Sequence, residues 1–353
     1  MKCLENLIGI SDTDCLCMLE GLTQEQINAA KNSVSGLYLD RNLEGGINVA
    51  DIKNLDGCGE YYRLASEAIK AAKVRFESDI EMSLGRRYKN QKPTFRGDLG
   101  RMNFSASLNK SKNFQFMKLT ANASSDAVLR IYGGKLILNA DDTVRVYILA
   151  QRGLEVPEVI FTTEMQSVAN KFTGFALPEK SDFPLTIDGE KMSYYFVWEG
   201  SEGTAARDNE LSCKCSGGNA YDQFVKLKGG ESDSLNVLEG TDGYAHGFSL
   251  TAEIKCDTGL LVSREFNSQN KIAVASAWAN LYKAGEILIE KVLNSSTINR
   301  ITLMNRDYLY GKRNHFRARY DEFINYLAYE IDVTKGDCFI CNDKNFFVGN
   351  VFG

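Results

Sequence analysis

Apolar and polar positions alternate along this chain with three different periods. From residue 60 to 84, Tyr61, Leu64, Ala68, Ile69, Ala72, Phe76, Ile80 and Leu84 recur at helical spacing. Lys70, Lys73, Glu77 and Glu81 fill the other side, which predicts an amphipathic helix of about seven turns. Gly85 follows as a C-cap, and Arg86 and Arg87 suit the negative end of the helix. The period then drops to two. Residues 127–132, 135–139 and 143–149 read as short strands, with the Gly133-Gly134 pair and residues 139–142 as turns. Further strands are predicted over 158–162, 183–187, 193–199 and 247–257. Many short strands with frequent turns point to a β-sandwich. From about residue 270 the helical period returns. Residues 271–293 are apolar on nearly every side, as in a helix buried among helices. Residues 306–330 place Phe316, Tyr320, Phe323, Ile324 and Leu327 on one face, with Lys312, Arg313, Arg317 and Arg319 opposite.

A single long helix cannot bury its own stripe, and the two later helices are its simplest partners. The fold class expected is therefore α+β. A discontinuous helical bundle, residues 60–90 and 265–335, carries an inserted β-sandwich domain over 110–250. Such insertions are tolerated where entry and exit lie close together. Residues 1–59 form an N-terminal arm and residues 336–353 a C-terminal tail. Within the arm, residues 22–34 predict a short helix with Thr23 as its cap and Gln26 three positions later. The next stretch, SGLYLDRNLEGGINVADIKNLDGC, carries Gly36, Gly45, Gly46 and Gly57 with single apolar residues between them. A segment so interrupted has no stable fold alone. It is expected to gain order against a neighbouring subunit and to add nothing to the bundle's own core.

Composition narrows the function classes. The chain has 353 residues, 44% of them apolar and 25% charged, enough for a sizeable core. A net charge of -5 gives no global electrostatic case for nucleic-acid binding. Two histidines, His246 and His315, argue against His-based acid–base or triad chemistry. No run has the length and apolarity of a membrane span, and the N-terminus lacks a signal-peptide pattern. No phosphate-loop spacing or paired-carboxylate motif stands out, so no catalytic and no cofactor-binding residue is singled out.

Three features could carry binding chemistry. Cys338 and Cys341 are spaced so that both thiolates can reach one tetrahedral Zn²⁺. Cys256, Cys213 and Cys215 could complete such a site, so the candidate metal ligands are Cys338, Cys341 and Cys256. A made-in-cytoplasm protein would otherwise keep its nine cysteines as free thiols rather than disulfides. Tyr194, Phe196 and Trp198 share one face of a strand. That face could stack on sugar rings or be sandwich core. The run YGKRNHFRAR, residues 310–319, is a local basic cluster: a DNA-facing surface, an acidic partner's contact, or a solvated helix face.

The phrases SGLYLDRNLEGGINVADI, YRLASEAIKAAKVRFESDI and SAWANLYKAGEILIEKVLNSSTINRITLMN, with the terminal CFIC, resemble structural proteins of tailed bacteriophages. The resemblance is to the head–tail connector and tail-ring type of Bacteroides-like phages, and it covers the two ends better than residues 100–245. It implies a connector-like bundle repeated in a cyclic ring with copies of itself below the portal. Portal and other tail proteins would be its partners, DNA would pass through the channel without specific binding, and there would be no membrane insertion. It also implies residence in the virion and no enzymatic activity. The alternative from a different class is a carbohydrate-binding β-sandwich module.

Overall fold

A computed structural model describes residues 4–12, 22–43, 58–100, 104–107, 112–122, 126–179, 182–209, 211, 220–294, 306–333 and 336–341. The chain is mixed α plus β and divides into two compact units. One unit comprises Met1–Tyr88, Leu261–Asp332 and Asn342–Gly353; the other comprises Lys89–Leu260 and Val333–Cys341. Residues 44–57 of the expected arm, residues 342–353 of the expected tail, and Cys213 and Cys215 fall outside the described residues.

The helical unit contains α1 (Gln24–Lys31), α2 (Cys58–Arg87), most of α3 (Thr258–Ser268), α4 (Asn270–Leu293) and α5 (Arg306–Glu330). The helix expected at 60–84 forms and buries Tyr61, Ala65, Ala68, Ala72, Phe76, Ile80 and Leu84. Its partners are α4 and α5. Alanines along this stripe let α4 come close. α4 is buried on most of its circumference, from Ile272 to Val292. α5 turns Phe316, Tyr320, Ile324 and Leu327 inward. Tyr320 donates its hydroxyl to Asp79 Oδ2 of α2 at 2.8 Å, and Arg87 Nη1 donates to the Ala328 carbonyl at 2.7 Å.

The N-terminal arm departs from its expected role. α1 starts on a capping box: Gln26 N–H donates to Thr23 Oγ1, and Thr23 N–H to Gln26 Oε1. The segments on either side of α1 then pair in parallel, Gly9 beside Tyr38, with Gly9 N–H donating to Leu37 O and Leu39 N–H to Gly9 O. Leu4, Leu7, Ile8, Ile10, Leu39 and Leu43 are buried. The described arm is therefore part of the unit's own core. The expectation that it adds nothing there is corrected: backbone pairing gives these scattered leucines a fixed place to pack.

The β unit holds two antiparallel sheets. The larger runs β13 (Val225–Ser232), β4 (Phe114–Ala121), β11 (Glu190–Glu199), β6 (Thr143–Arg152), β7 (Glu158–Gln166), with β10 (Thr186–Ile187) on β11. The smaller runs β2 (Phe95–Leu99), β14 (Phe248–Cys256), β5 (Ala127–Ile137), β8 (Phe172–Phe175), with β9 (Asp182–Pro184) also on β5. β1 (Tyr88–Asn90) pairs β15 (Phe339–Cys341), and β3 (Phe104–Ser107) pairs β12 (Arg207–Asn209). The sheets pack face to face: Phe183 meets Tyr194 at 5.1 Å between ring centroids, and Phe196 meets Phe248 at 6.3 Å. Gly133 and Gly134 do not turn the chain as expected. They lie inside β5, where a side chain at Gly134 would collide with the Phe175 ring of β8.

Candidate interaction surfaces

The aromatic strand is β11. Tyr194, Phe196 and Trp198 face the smaller sheet and are at most 3% exposed. Trp198 Nε1 donates to the His246 carbonyl at 2.9 Å. The opposite face is covered too: Tyr195 and Val197 pack with Phe116, Leu149 and Leu238. Burial pushes the Tyr195 phenol up to about 12 and Tyr194 higher still. These rings are sandwich core and present no platform to a sugar.

The cysteine expectation is corrected in part. Cys256, the last residue of β14, and Cys338, just before β15, form a disulfide with Cα atoms 5.5 Å apart. That spacing lies in the ordinary range for a bridge. Two of the three candidate zinc ligands thus hold each other and offer no thiolate to a metal. Cys341 follows in β15, with its backbone alone described. Among the described residues no group of three His, Cys, Asp or Glu side chains is placed to hold a metal ion. Nor is any described helix long and apolar enough to cross a membrane.

The basic cluster lies along the first half of α5. Its cations rest on aromatic rings: Lys312 over Tyr308 at 5.0 Å, and Arg306 and Arg313 over Tyr310 at 5.7 and 5.1 Å. Arg317 is exposed. Arg319 turns to Glu322 at 2.6 Å and lies over the Tyr282 and Phe323 rings, so the bundle absorbs it. The outcome is an amphipathic, cation-rich helix face with tyrosines laid along it.

Sequence periodicity missed the most exposed apolar surface. The β6–β7 hairpin carries Leu154, fully exposed, and Val156, Val159 and Ile160, each about half exposed or more. β7 ends the larger sheet, and β6 is its one ladder partner among the described residues. An open strand edge beside an apolar tip is a surface that water solvates poorly and that another strand can pair. The ion pair Arg145–Glu164 (2.9 Å) joins the hairpin's two strands, and Arg152–Glu190 (2.7 Å) ties it to β11. The signal in sequence is faint. The run LEVPEVIF reads as an ordinary strand entry, and nothing in it says which strands flank it.

No protein-family model, curated protein or solved structure matches the chain.

Proposed function

We propose that this chain is a structural subunit that self-associates into a ring, of the kind found in the head–tail connector of tailed bacteriophages. The observation that carries the reading is the β7 edge with its apolar hairpin tip. Leu154, Val156, Val159 and Ile160 stand in solvent close together on one hairpin, with Leu154 fully exposed. A head-to-tail contact that uses such an edge generates a closed ring when the rotation between copies closes. Many modest contacts repeated by symmetry supply the affinity, so no single anchor residue is required. The resemblance of the end segments to phage connector proteins supports the particle in which the ring would sit, with portal and tail proteins as neighbours.

Light scattering coupled to gel filtration, with negative-stain imaging, tests the reading. Wild-type chain is expected to form rings alone or on purified portal. Val156→Lys with Ile160→Lys should leave the circular-dichroism spectrum unchanged and abolish assembly. A double variant that assembles at the wild-type level overturns the reading.

A further inference from the structure

α2 has a second face beside the one that packs on α4 and α5. Tyr62, Ser66, Ile69 and Lys73 recur at i, i+4, i+7 and i+11, so they share one side of the helix. The arm from Leu4 to Ile10 runs past that side. The described backbone bonds of this stretch go to the segment around α1 and not to α2: Gly9 N–H donates to Leu37 O at 2.9 Å, and Ile10 N–H to Ala30 O at 2.8 Å. The arm thus stands off the helix as a wall, and a cavity of about 410 Å³ lies between them. That volume falls in the range of about 300–1,000 Å³ usual for small-molecule sites.

Three kinds of group line it. Leu7, Ile10 and Ile69 supply apolar wall. Lys70 is exposed and Lys73 partly so, and neither forms an ion pair or hydrogen bond among the described residues. Glu5 is the one carboxylate in the lining, so two lysines against one glutamate leave a surplus positive charge. Asn280 comes from α4 and is 4% exposed. Its Nδ2 donates to the Ser276 carbonyl at 2.9 Å, which orients the amide and leaves Oδ1 accepting nothing among the described residues. A buried amide oxygen on a cavity wall without a donor asks for one.

We infer that this cavity binds a small amphipathic anion: an alkyl chain whose carboxylate is held by Lys70 and Lys73 and whose hydroxyl donates to Asn280 Oδ1. The three kinds of group select the class together. The apolar wall favours burial of hydrocarbon. Two cations without internal partners bind a negative head through charge-assisted hydrogen bonds, and no existing ion pair has to break first. The amide oxygen disfavours an analogue that lacks the hydroxyl, because such a ligand covers it and leaves it unpaired. The site lies within the helical unit, and the inference does not depend on ring formation.

Isothermal titration calorimetry on the full-length chain tests it with three probes, each below its micelle concentration: ω-hydroxydecanoate, decanoate without the hydroxyl, and decanediol without the charge. ω-Hydroxydecanoate is expected to bind saturably and most tightly. Lys70→Gln with Lys73→Gln should weaken its binding about tenfold, the loss of one charge-assisted contact, and leave decanediol unaffected. Asn280→Leu should erase the preference for the hydroxy acid over decanoate. Should that variant fail to fold, the lysine pair carries the test, because both side chains reach solvent. Ser66→Phe, which fills the cavity, should abolish binding of all three probes with the circular-dichroism spectrum unchanged. Sedimentation with phosphatidylglycerol vesicles separates a free amphiphile from a lipid surface, and the protein is expected to stay in the supernatant. Four results overturn the site: no saturable heat with ω-hydroxydecanoate, equal affinity for it in wild type and the lysine variant, binding that survives Ser66→Phe, or co-sedimentation with vesicles by a protein that ignores the free acids.

Discussion

Leu43 lies against Gly285. A methyl group added at Gly285 would stand 2.8 Å from Leu43 Cδ1 and 3.0 Å from the Phe316 ring. The bare backbone of α4 is thus the floor on which the arm and α5 both pack. Gly285 sits mid-helix, where glycine costs about 1 kcal/mol relative to alanine. The close approach of two buried side chains is what offsets that cost.

Leu43→Ala should therefore destabilise the chain by about 2–4 kcal/mol, the range for truncating a buried leucine. Urea unfolding monitored by helix ellipticity reads it. Gly285→Leu should be at least as damaging, since neither neighbour can retreat far. A Leu43→Ala protein with an unchanged midpoint would mean the arm is merely laid on the surface.

Trp198 bonds the buried carbonyl of His246, and His246 itself sits at φ 46° with Nε2 at 2.9 Å from Asp242. Trp198→Phe keeps most of the apolar volume but orphans that carbonyl. The cost expected is about 1–3 kcal/mol. Glycan-array binding should be no different between the two proteins, because the ring faces the other sheet. A glycan signal that Trp198→Phe abolishes while the fold persists would reopen the sugar reading.

Asp142 gives the β unit an acid-sensitive latch. It accepts from Ser201 N–H (2.8 Å), Ser201 Oγ (2.9 Å) and Thr204 Oγ1 (2.8 Å). Burial pushes its carboxyl up, but these bonds together outweigh that and hold it below the usual aspartate value. A depressed folded pKa means stability that is present above the unfolded value and lost as pH falls through the folded one. Wild type should thus lose more melting temperature than Asp142→Asn between neutral pH and the acid range below the ordinary aspartate pKa. Parallel pH profiles for the two proteins would show that the latch contributes nothing.

The long helices were legible because each carries a continuous stripe: Phe76, Ile80 and Leu84 on α2, Phe316, Tyr320 and Ile324 on α5. The capping box at Thr23 was legible because two residues three positions apart in one turn specify it. Leu39 and Leu43 were not, since their burial comes from backbone pairing with residues some thirty positions earlier. The GG pair misled because glycine marks both a turn and a close approach, and only the Phe175 ring decides which. The exposed hairpin at Leu154 was invisible for a related reason. Period-two alternation says which residues share a face of a strand, but not whether another sheet covers it.

The Cys256–Cys338 pair joins residues 82 apart, which is why no local spacing announced it. It anchors the segment that leads into β15. Around it, Gln91 N–H donates to the Cys338 carbonyl at 2.8 Å, and Lys92 reaches both Asp337 and the Gln223 carbonyl. Closing a loop of this length restricts the unfolded chain by an entropy worth on the order of 4–5 kcal/mol, an upper figure for a bridge without native strain. Peptide mapping without reductant should recover Cys256 linked to Cys338. Dithiothreitol should lower the melting temperature of wild type, and Cys256→Ser with Cys338→Ser should match the reduced protein and no longer respond. Chelators should leave the oxidised protein's stability at this locus unchanged, because both sulfurs are already committed to each other. Recovery of Cys338 linked to Cys341, or stoichiometric zinc released by Cys338→Ser, would refute the pairing and restore the thiolate site that the spacing of Cys338 and Cys341 suggests.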